Sequence, residues 1–490
     1  MNKIYVGGGF LESQLIWILP VIDSYCKKKN IKSIIFENKL SNKFVKNKKI
    51  NFYLRNYKIE FLKYKIIKKN FFNIILFFFI NLYNFSYYFL TLKKKTLLNN
   101  TNSWVDNQIL HSIWDTSFLY LKDSEIKPNY FYIFKSTIKV FYNIYLANLL
   151  ISRNVIACFM GHTVYGHRAM IAILRNKKIK IICHANSCLY SLKKTEDNAW
   201  NTPDVEFLKL FQKIFFYNEA KKYWKLRLKG LGHYEDAKIA FAINTKVEKN
   251  YFFPRNIIML HIFRDSPFNI VDRTRVFSDY IDWIYSTLKI IKNSNEEWLI
   301  RPHPSYKRWG EDSSKIFKKI YDDVFSKTIP NNIKFNTDKF SNLELLKKAK
   351  RIVTFSGTVH LESACLGIRP IVISKCTLSN ISNKLVLKPR NFREYSQLLL
   401  KDSNSKIFQL DKYSIKVSKL LLFIRENILS LKNDLNSLTL FRNDKKYLFD
   451  KDFKNMLRSL EKNKNFLSLI GELIDKDLDY TISKKYYKYL

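Results

Sequence analysis

Apolar positions along this chain fall into two recurring patterns, short continuous runs and longer stripes at helical spacing, and the amino-terminal stretch shows one unit of each. Ile4 to Val6 reads as a strand, Gly7-Gly8-Gly9 as a loop, Leu11 to Lys27 as an amphipathic helix and Ser33 to Glu37 as a second strand. The rhythm returns further on. Asn154 to Met160 is a strand, Gly161 to Tyr165 a turn, Gly166 to Arg175 a helix and Ile179 to Cys183 another strand. Lys213 to Asn218 reads as the last strand of this half, and residues 220 to 250 as a helix running into a linker.

Pro254 marks a restart. Asn256 to Ile262 and Glu297 to Ile300 are strands, with Phe277 to Ile291 a helix between them. Ile352 to Phe355 is a strand, Ser356-Gly357-Thr358 a tight polar turn, Val359 to Leu366 a helix closed by Gly367, and Pro370 to Ile373 the next strand. Beyond 376 the strand rhythm stops, although Tyr413 to Leu431 and Phe453 to Ile474 keep helical spacing. The pattern predicts an α/β protein of two parallel-sheet domains, 1–250 and 251–410, with a helical extension over 411–490.

One stretch breaks the pattern. Residues 71 to 92, FFNIILFFFINLYNFSYYFLTL, are long enough to span a bilayer, but Asn73, Asn81, Asn84 and Ser86 interrupt them and lysines flank both ends. The segment reads as an interfacial helix on the anionic inner leaflet, with a core helix as the alternative.

Composition changes this picture in two respects. A formal charge of +43, from 85 Lys and Arg against 42 Asp and Glu, favours an anionic substrate or surface. Part of the lysine excess follows the general abundance of Lys, Asn, Ile, Phe and Tyr. No arginine-rich arm or aromatic RNA-binding signature accompanies it, so nucleic acid is not an expected partner. Six cysteines without a CxxC pair, at 26, 158, 183, 188, 365 and 376, read as buried thiols in a reducing compartment. The start MNKIYVGGGF runs straight into a strand, which leaves no room there for a signal peptide and points to a cytoplasmic protein, peripheral on the inner face of the membrane.

Candidate chemistry gathers where strands end. His162 follows an apolar strand, and an imidazole there suits a general base near neutral pH, unless it serves only to hold its own loop. Tyr165 and Arg168 stand close enough in sequence to address an acceptor or a phosphate, and His184 ends the next strand in the same way. Glu12, just inside a helix start, is either a catalytic carboxylate or a partner of the helix dipole. Gly8 and Gly9 lack the dinucleotide GxGxxG spacing and read as a close-approach surface on the acceptor side. In the second half, His261, Arg264 and Asp265 follow one strand. Arg301-Pro302-His303-Pro304 follows the next, with the prolines fixing the backbone around His303. Ser356, Gly357 and Thr358 precede a helix start and either cap it or hold a phosphate there; Glu362, one turn on, is placed to accept sugar hydroxyls.

The stretch WLIRPHP, followed some fifty residues later by VTFSGTVHLESACLGIRPIVI, resembles the donor half of bacterial capsular and surface-polysaccharide glycosyltransferases of the GT-B type. That group includes Kdo transferases and polysialyltransferases. The resemblance covers roughly 255 to 375 and, in the first half, mainly 161 to 184. It implies two Rossmann-like domains facing a cleft, a metal-independent inverting glycosyltransferase, and a nucleotide-sugar co-substrate, CMP- or UDP-linked, with no further cofactor. It implies donor contacts from His303, Pro304, Ser356, Gly357 and Thr358, and a glycan or lipid-linked acceptor. The segments HIFRDSP and GHTVYGHRA are similar to motifs of surface-carbohydrate transferases. The chain departs from polysialyltransferases in the glycine between the two turn hydroxyls and in lacking their paired-acid-glycine motif. Transfer of a polyol phosphate such as glycerol phosphate, and an inactive polysaccharide-assembly protein, are the alternatives.

Overall fold

The computed structural model describes residues 2–7, 12–37, 54–62, 71–93, 103–122, 125–161, 163–185, 188–192, 205–231, 255–264, 276–304, 306, 311–326, 330–335, 341–374, 376–429, 484–487 and 489. The linker read over 232–250 and the helix read over Phe453 to Ile474 lie outside these residues.

In chain order the first half comprises β1 (Lys3–Gly7), α1 (Glu12–Lys28), β2 (Ser33–Glu37), β3 (Lys58–Leu62), α2 (Phe71–Ile80), α3 (Leu82–Lys93), α4 (Trp104–Phe118), α5 (Tyr130–Ser152), β4 (Val155–Met160), α6 (Gly166–Asn176), β5 (Lys180–Ala185), β6 (Cys188–Ser191), α7 (Val205–Leu210) and α8 (Ile214–Leu228). The strands form one sheet in the order β3-β2-β1-β4-β5-β6, parallel except for the β5–β6 pair. The second half comprises β7 (Asn256–Met259), α9 (Tyr280–Ile291), β8 (Trp298–Arg301), α10 (Ser313–Phe325), β9 (Ile333–Phe335), α11 (Asn342–Lys348), β10 (Arg351–Thr354), α12 (Val359–Cys365), β11 (Ile371–Val372), α13 (Thr377–Ile381), α14 (Phe392–Leu400) and α15 (Lys412–Phe423), which continues as a π-helical turn, Ile424–Ile428. Its sheet runs β11-β10-β7-β8-β9 and is parallel throughout.

Both sheets are therefore doubly wound. From its first strand each grows outward in one direction, then crosses back to place its fourth strand on the other side of the first. The reversal falls between β1 and β4 in one sheet and between β7 and β10 in the other. At such a switch point the flanking connections leave on opposite faces of the sheet and open a crevice beyond the strands' carboxyl ends.

Local chemistry explains the elements. The central strands are apolar runs buried on both faces, as a parallel sheet covered by helices requires. Helix starts are set by side chains that accept the free N–H groups of the first turn: Asn129 Oδ1 from Tyr132 at 3.0 Å, and Asp279 Oδ1 from Asp282 at 2.7 Å. Ser341 and Glu344 close a full capping box at the head of α11. All six cysteines are buried free thiols.

Two sequence readings are corrected. The strand read over Lys213 to Asn218 is the beginning of α8. Its aromatic run favours a strand locally, but Phe216, Ala220, Tyr223, Trp224 and Arg227 make one helical stripe that is buried. The single interfacial helix read over 71 to 92 is two helices, α2 and α3, bent by 62° where they meet, and no single helix among the described residues is long and apolar enough to cross a membrane.

The stripe on α8 carries a buried ion cluster. Arg227 reaches Glu362 of α12 at 2.5 Å and Glu426 of the π-helical turn at 2.6 Å, and the Tyr223 hydroxyl donates to Glu426 as well. Removing one member strands its partners in an apolar core that runs from Tyr5 and Cys158 in the first sheet to Leu361 and Leu421. Arg227→Met is expected to destabilise the fold by about 3–5 kcal/mol. Glu60→Gln, which breaks the half-exposed pairs of Glu60 with Lys3 and Arg153, is expected to cost about 0–1 kcal/mol. Urea unfolding followed by circular dichroism checks both values.

Candidate active site

The carboxyl ends of β10, β7 and β8, which are neighbours in the second sheet, bring three loops together. β7 leads into His261 to Arg264, β8 into Pro302-His303-Pro304, and β10 into Ser356-Gly357-Thr358 and then α12. The His261 and His303 rings lie 5.8 Å apart, centroid to centroid. A Cβ built on Gly357 would stand 3.7 Å from His261 Cδ2, so His261 lies between the other two loops.

Each loop is pinned from below. The Tyr280 hydroxyl accepts from the His261 N–H at 2.6 Å and donates to the His261 carbonyl at 3.0 Å, which fixes that peptide from both sides. Glu311 accepts from the N–H groups of Phe263 at 3.1 Å and Arg264 at 2.8 Å. Burial raises the Glu311 carboxyl above its ordinary range, while these hydrogen bonds and that of Ser313 oppose the rise. Thr354 Oγ1 serves the third loop, with Met259 O at 3.1 Å and Ser356 O at 2.6 Å. Gly357 sits at φ +103°, where a side chain is strained, and the turn depends on it. His360, in the first turn of α12, places Nδ1 against the Gly357 carbonyl and so fixes the turn from the helix side.

Electrostatics sharpen the picture. Burial, with the His261 imidazole beside it, pushes His303 down from 6.5 to about 3. Burial pushes His360 down to about 3 too, against the bond to the Gly357 carbonyl, which favours the charged ring. Both rings are neutral at pH 7. A neutral imidazole at His303 can still donate one N–H to an anion.

The first sheet offers the matching edge. β1 and β4 pair in parallel at its switch point, and Gly161 N–H reaches the Gly7 carbonyl at 3.4 Å just beyond them. Tyr165 follows β4 at φ 54°, and its hydroxyl reaches the Arg264 carbonyl at 3.4 Å. Because Tyr165 lies beyond one sheet's carboxyl edge and Arg264 beyond the other's, the two edges face each other across that contact.

The structure places the sequence candidates unevenly. It brings together His261, His303, Pro304, Ser356, Gly357 and Thr358, with Arg264 at the border. Gly8, Gly9, His162 and Asp265 lie outside the described residues, as do the side chains of Glu12 and His184, whose backbones fall at the start of α1 and in β5. Three readings are corrected by burial. Arg168, read as an acceptor or phosphate ligand, is held inside the protein by Asp115 at 3.1 Å and Gln108 at 2.9 Å. Arg301, read as a charge beside His303, is buried beneath the edge with Nε 3.4 Å from Asn342 Oδ1. Glu362, read as a sugar ligand, lies in the Arg227 cluster. The sequence reading passed over His360; its signal was the position, three residues after the glycine of the turn and within the first turn of the helix.

In overall structure the chain is similar to UDP-GlcNAc 2-epimerase from Methanocaldococcus jannaschii, at 12% identity over 86% of this chain and 99% of that one, with a TM-score of 0.27. It is also similar to KpsC of Thermosulfurimonas dismutans. The β-Kdo 2,4 transferase matches at 12% identity over 56% of this chain and 80% of that one, TM-score 0.36, and the β-Kdo 2,7 transferase at 10% over 60% and 87%, TM-score 0.31. No family model and no curated protein matches the chain.

The two low-lying imidazoles make stability depend on pH. Unfolding raises each to an ordinary value near 6.5, so between about 3 and 6.5 the unfolded chain binds the protons that the folded chain refuses. Their contribution is fully present above 6.5 and is lost as pH falls toward about 3. Urea midpoints measured across this window should drop with decreasing pH, and His360→Gln should flatten the slope by about one proton. An unchanged slope would mean that His360 titrates normally.

Proposed function

We propose that the chain is a metal-independent, inverting glycosyltransferase that moves a sugar from a nucleotide donor, CMP- or UDP-linked, to a growing surface polysaccharide or its lipid carrier at the cytoplasmic face of the membrane. The observation that supports it most is the meeting of His261, His303 and the Ser356-Gly357-Thr358 turn at the switch point of the second sheet. Parallel α/β sheets bind phosphorylated ligands in that crevice. The resemblance of the same residues to the donor motifs of surface-polysaccharide transferases names the ligand class.

In this reading the donor phosphates lie over the turn, where backbone N–H groups and the Ser356 and Thr358 hydroxyls face them, and His303 donates from its neutral ring. The acceptor approaches from the first sheet, beside Tyr165. An acceptor oxygen attacks the anomeric carbon as its proton passes to a base; the bond from that carbon to the phosphate oxygen breaks, and the electron pair leaves with the nucleotide. The developing charge on the phosphate falls on the donors already facing it, which lowers the barrier. His162, between Gly161 and Thr163 beyond β4, is assigned as the base, with Glu12 and His184 as substitutes.

Donor hydrolysis tests the reading directly. Purified protein should release CMP or UDP from one class of nucleotide sugar, and release from none of them, or from a polyol-phosphate donor instead, contradicts it. His303→Ala should weaken calorimetric binding of the released nucleotide by roughly 1.5–3 kcal/mol, the range for a hydrogen bond to a charged group. His162→Ala should slow transfer by roughly 10² to 10⁴-fold with donor affinity unchanged. Loss of donor affinity in that variant would move His162 to the donor side.

A further inference from the structure

Helices α2 and α3 leave a broad apolar face uncovered. Phe79 is 70% exposed, Ile80 72% and Tyr83 81%, and Phe72, Leu82 and Leu90 are exposed with them. The face continues onto the first turns of α5, where Phe131 is 67% exposed and Phe134 and Ile138 follow at i+3 and i+7. The seam between the helices is aromatic: the Phe134 ring lies 5.7 Å from Phe85 and 5.9 Å from Phe89. Scattered exposed apolar residues are ordinary, but a contiguous aromatic face across three helices marks an interaction surface.

Charge selects the partner. Neither 71–93 nor 130–152 contains a single Asp or Glu. Lys135 and Lys139 are exposed on the stripe of α5 next to Phe131 and Phe134. In the sequence, Lys68 and Lys69 precede α2, and Lys94 and Lys95 follow Lys93 at the end of α3. Apolar helix segments that contain no acid and carry exposed lysines beside their aromatic residues fit the headgroup region of an anionic bilayer. The 62° bend divides the stretch into two short helices, each too short to cross the bilayer alone and each able to lie in that plane.

The face is also wired to the acceptor edge. Tyr88 of α3 donates to Asp106 in the first turn of α4 at 2.5 Å. Two turns further along α4, the Ser112 hydroxyl donates to the Tyr165 carbonyl, and Asp115 holds Arg168. From Asp106 to Ser112 is about 9 Å along the helix axis at 1.5 Å per residue. We infer that α2, α3 and the first turns of α5 form one lipid-docking face that lies in the headgroup plane of an anionic membrane and, through α4, sets the acceptor edge toward that membrane. This rests on the proposed transfer reaction only in naming a lipid-linked acceptor.

Because all six native cysteines are buried, a single exposed cysteine can be labelled selectively. Phe79→Cys and Phe131→Cys, each carrying an environment-sensitive fluorophore, should blue-shift on phosphatidylglycerol vesicles and hardly at all on phosphatidylcholine. Spin-labelled lipids should quench both more strongly from a shallow position than from the bilayer centre. Tyr413→Cys, exposed on α15, should not respond. The double variant Phe79→Ser, Phe131→Ser should bind the anionic vesicles at least about tenfold more weakly, as expected from losing two large apolar side chains. Donor hydrolysis in lipid-free buffer should be unchanged in that variant, so docking and chemistry are read separately. No shift at either position overturns the inference, as does strongest quenching from the bilayer centre, which would mean a spanning segment. A concentration-dependent shift without lipid would identify the face as a contact between two copies and overturn it as well.

Discussion

The buried Arg227 guanidinium, shared between Glu362 and Glu426, fixes how the carboxyl edge of the second sheet is held. Its partners come from α12, whose start is the Ser356-Gly357-Thr358 turn, and from the π-helical end of α15, while Arg227 itself belongs to α8 in the first half. Two carboxylates and one guanidinium in an apolar core tolerate little displacement, because any separation leaves a charge without compensation. The helix that presents the turn is thus anchored two residues past His360, and α15 is tied to the first half by the same cation. π-helical turns are uncommon and gather at functional sites. This one places Glu426 against Arg227 and Arg425 near His360, whose ionisation Arg425 opposes.

Above that anchor, the geometry of the site follows from strand order. In a parallel sheet every strand ends on the same edge, and only at a reversal of order do neighbouring loops diverge and leave a crevice. Both sheets reverse at their fourth strand, so the chain has two such crevices, joined where Tyr165 meets the Arg264 carbonyl. One holds His303, kept neutral by burial, next to the Ser356-Gly357-Thr358 turn at the head of α12. An anion placed there meets oriented dipoles in place of a mobile counterion, an arrangement that needs little rearrangement when charge develops on a leaving phosphate.

Much of the architecture was legible in the sequence because buried parallel strands are apolar on both faces. β1, β2, β4, β5, β7, β8, β10 and β11 all lie within the runs read as strands or one or two residues beyond them. β3, β6 and β9 were not read. β3 and β9 are short edge strands with partly exposed, mixed sequences, KIEFL and IKF, and β6 is an antiparallel return of four residues. α8 was misread because its aromatic residues favour a strand locally, whereas its burial stripe emerges only across the full helix. The residues proposed to hold the donor were legible because each follows closely on a strand. Arg168 and Glu362 were not, because the groups that bury them, Asp115 and Arg227, are far away in sequence and no local pattern announces a distant ion pair.

The central claim is that a donor nucleotide lies across the switch point of the second sheet, between His303 and the 356–358 turn. A crystal structure of the protein with the nucleotide liberated in donor hydrolysis tests this most directly. The account predicts a phosphate within hydrogen-bonding distance of the His303 ring and of a backbone N–H in the 357–359 stretch. A nucleotide bound elsewhere, with His303 and the turn empty of it, would contradict the account.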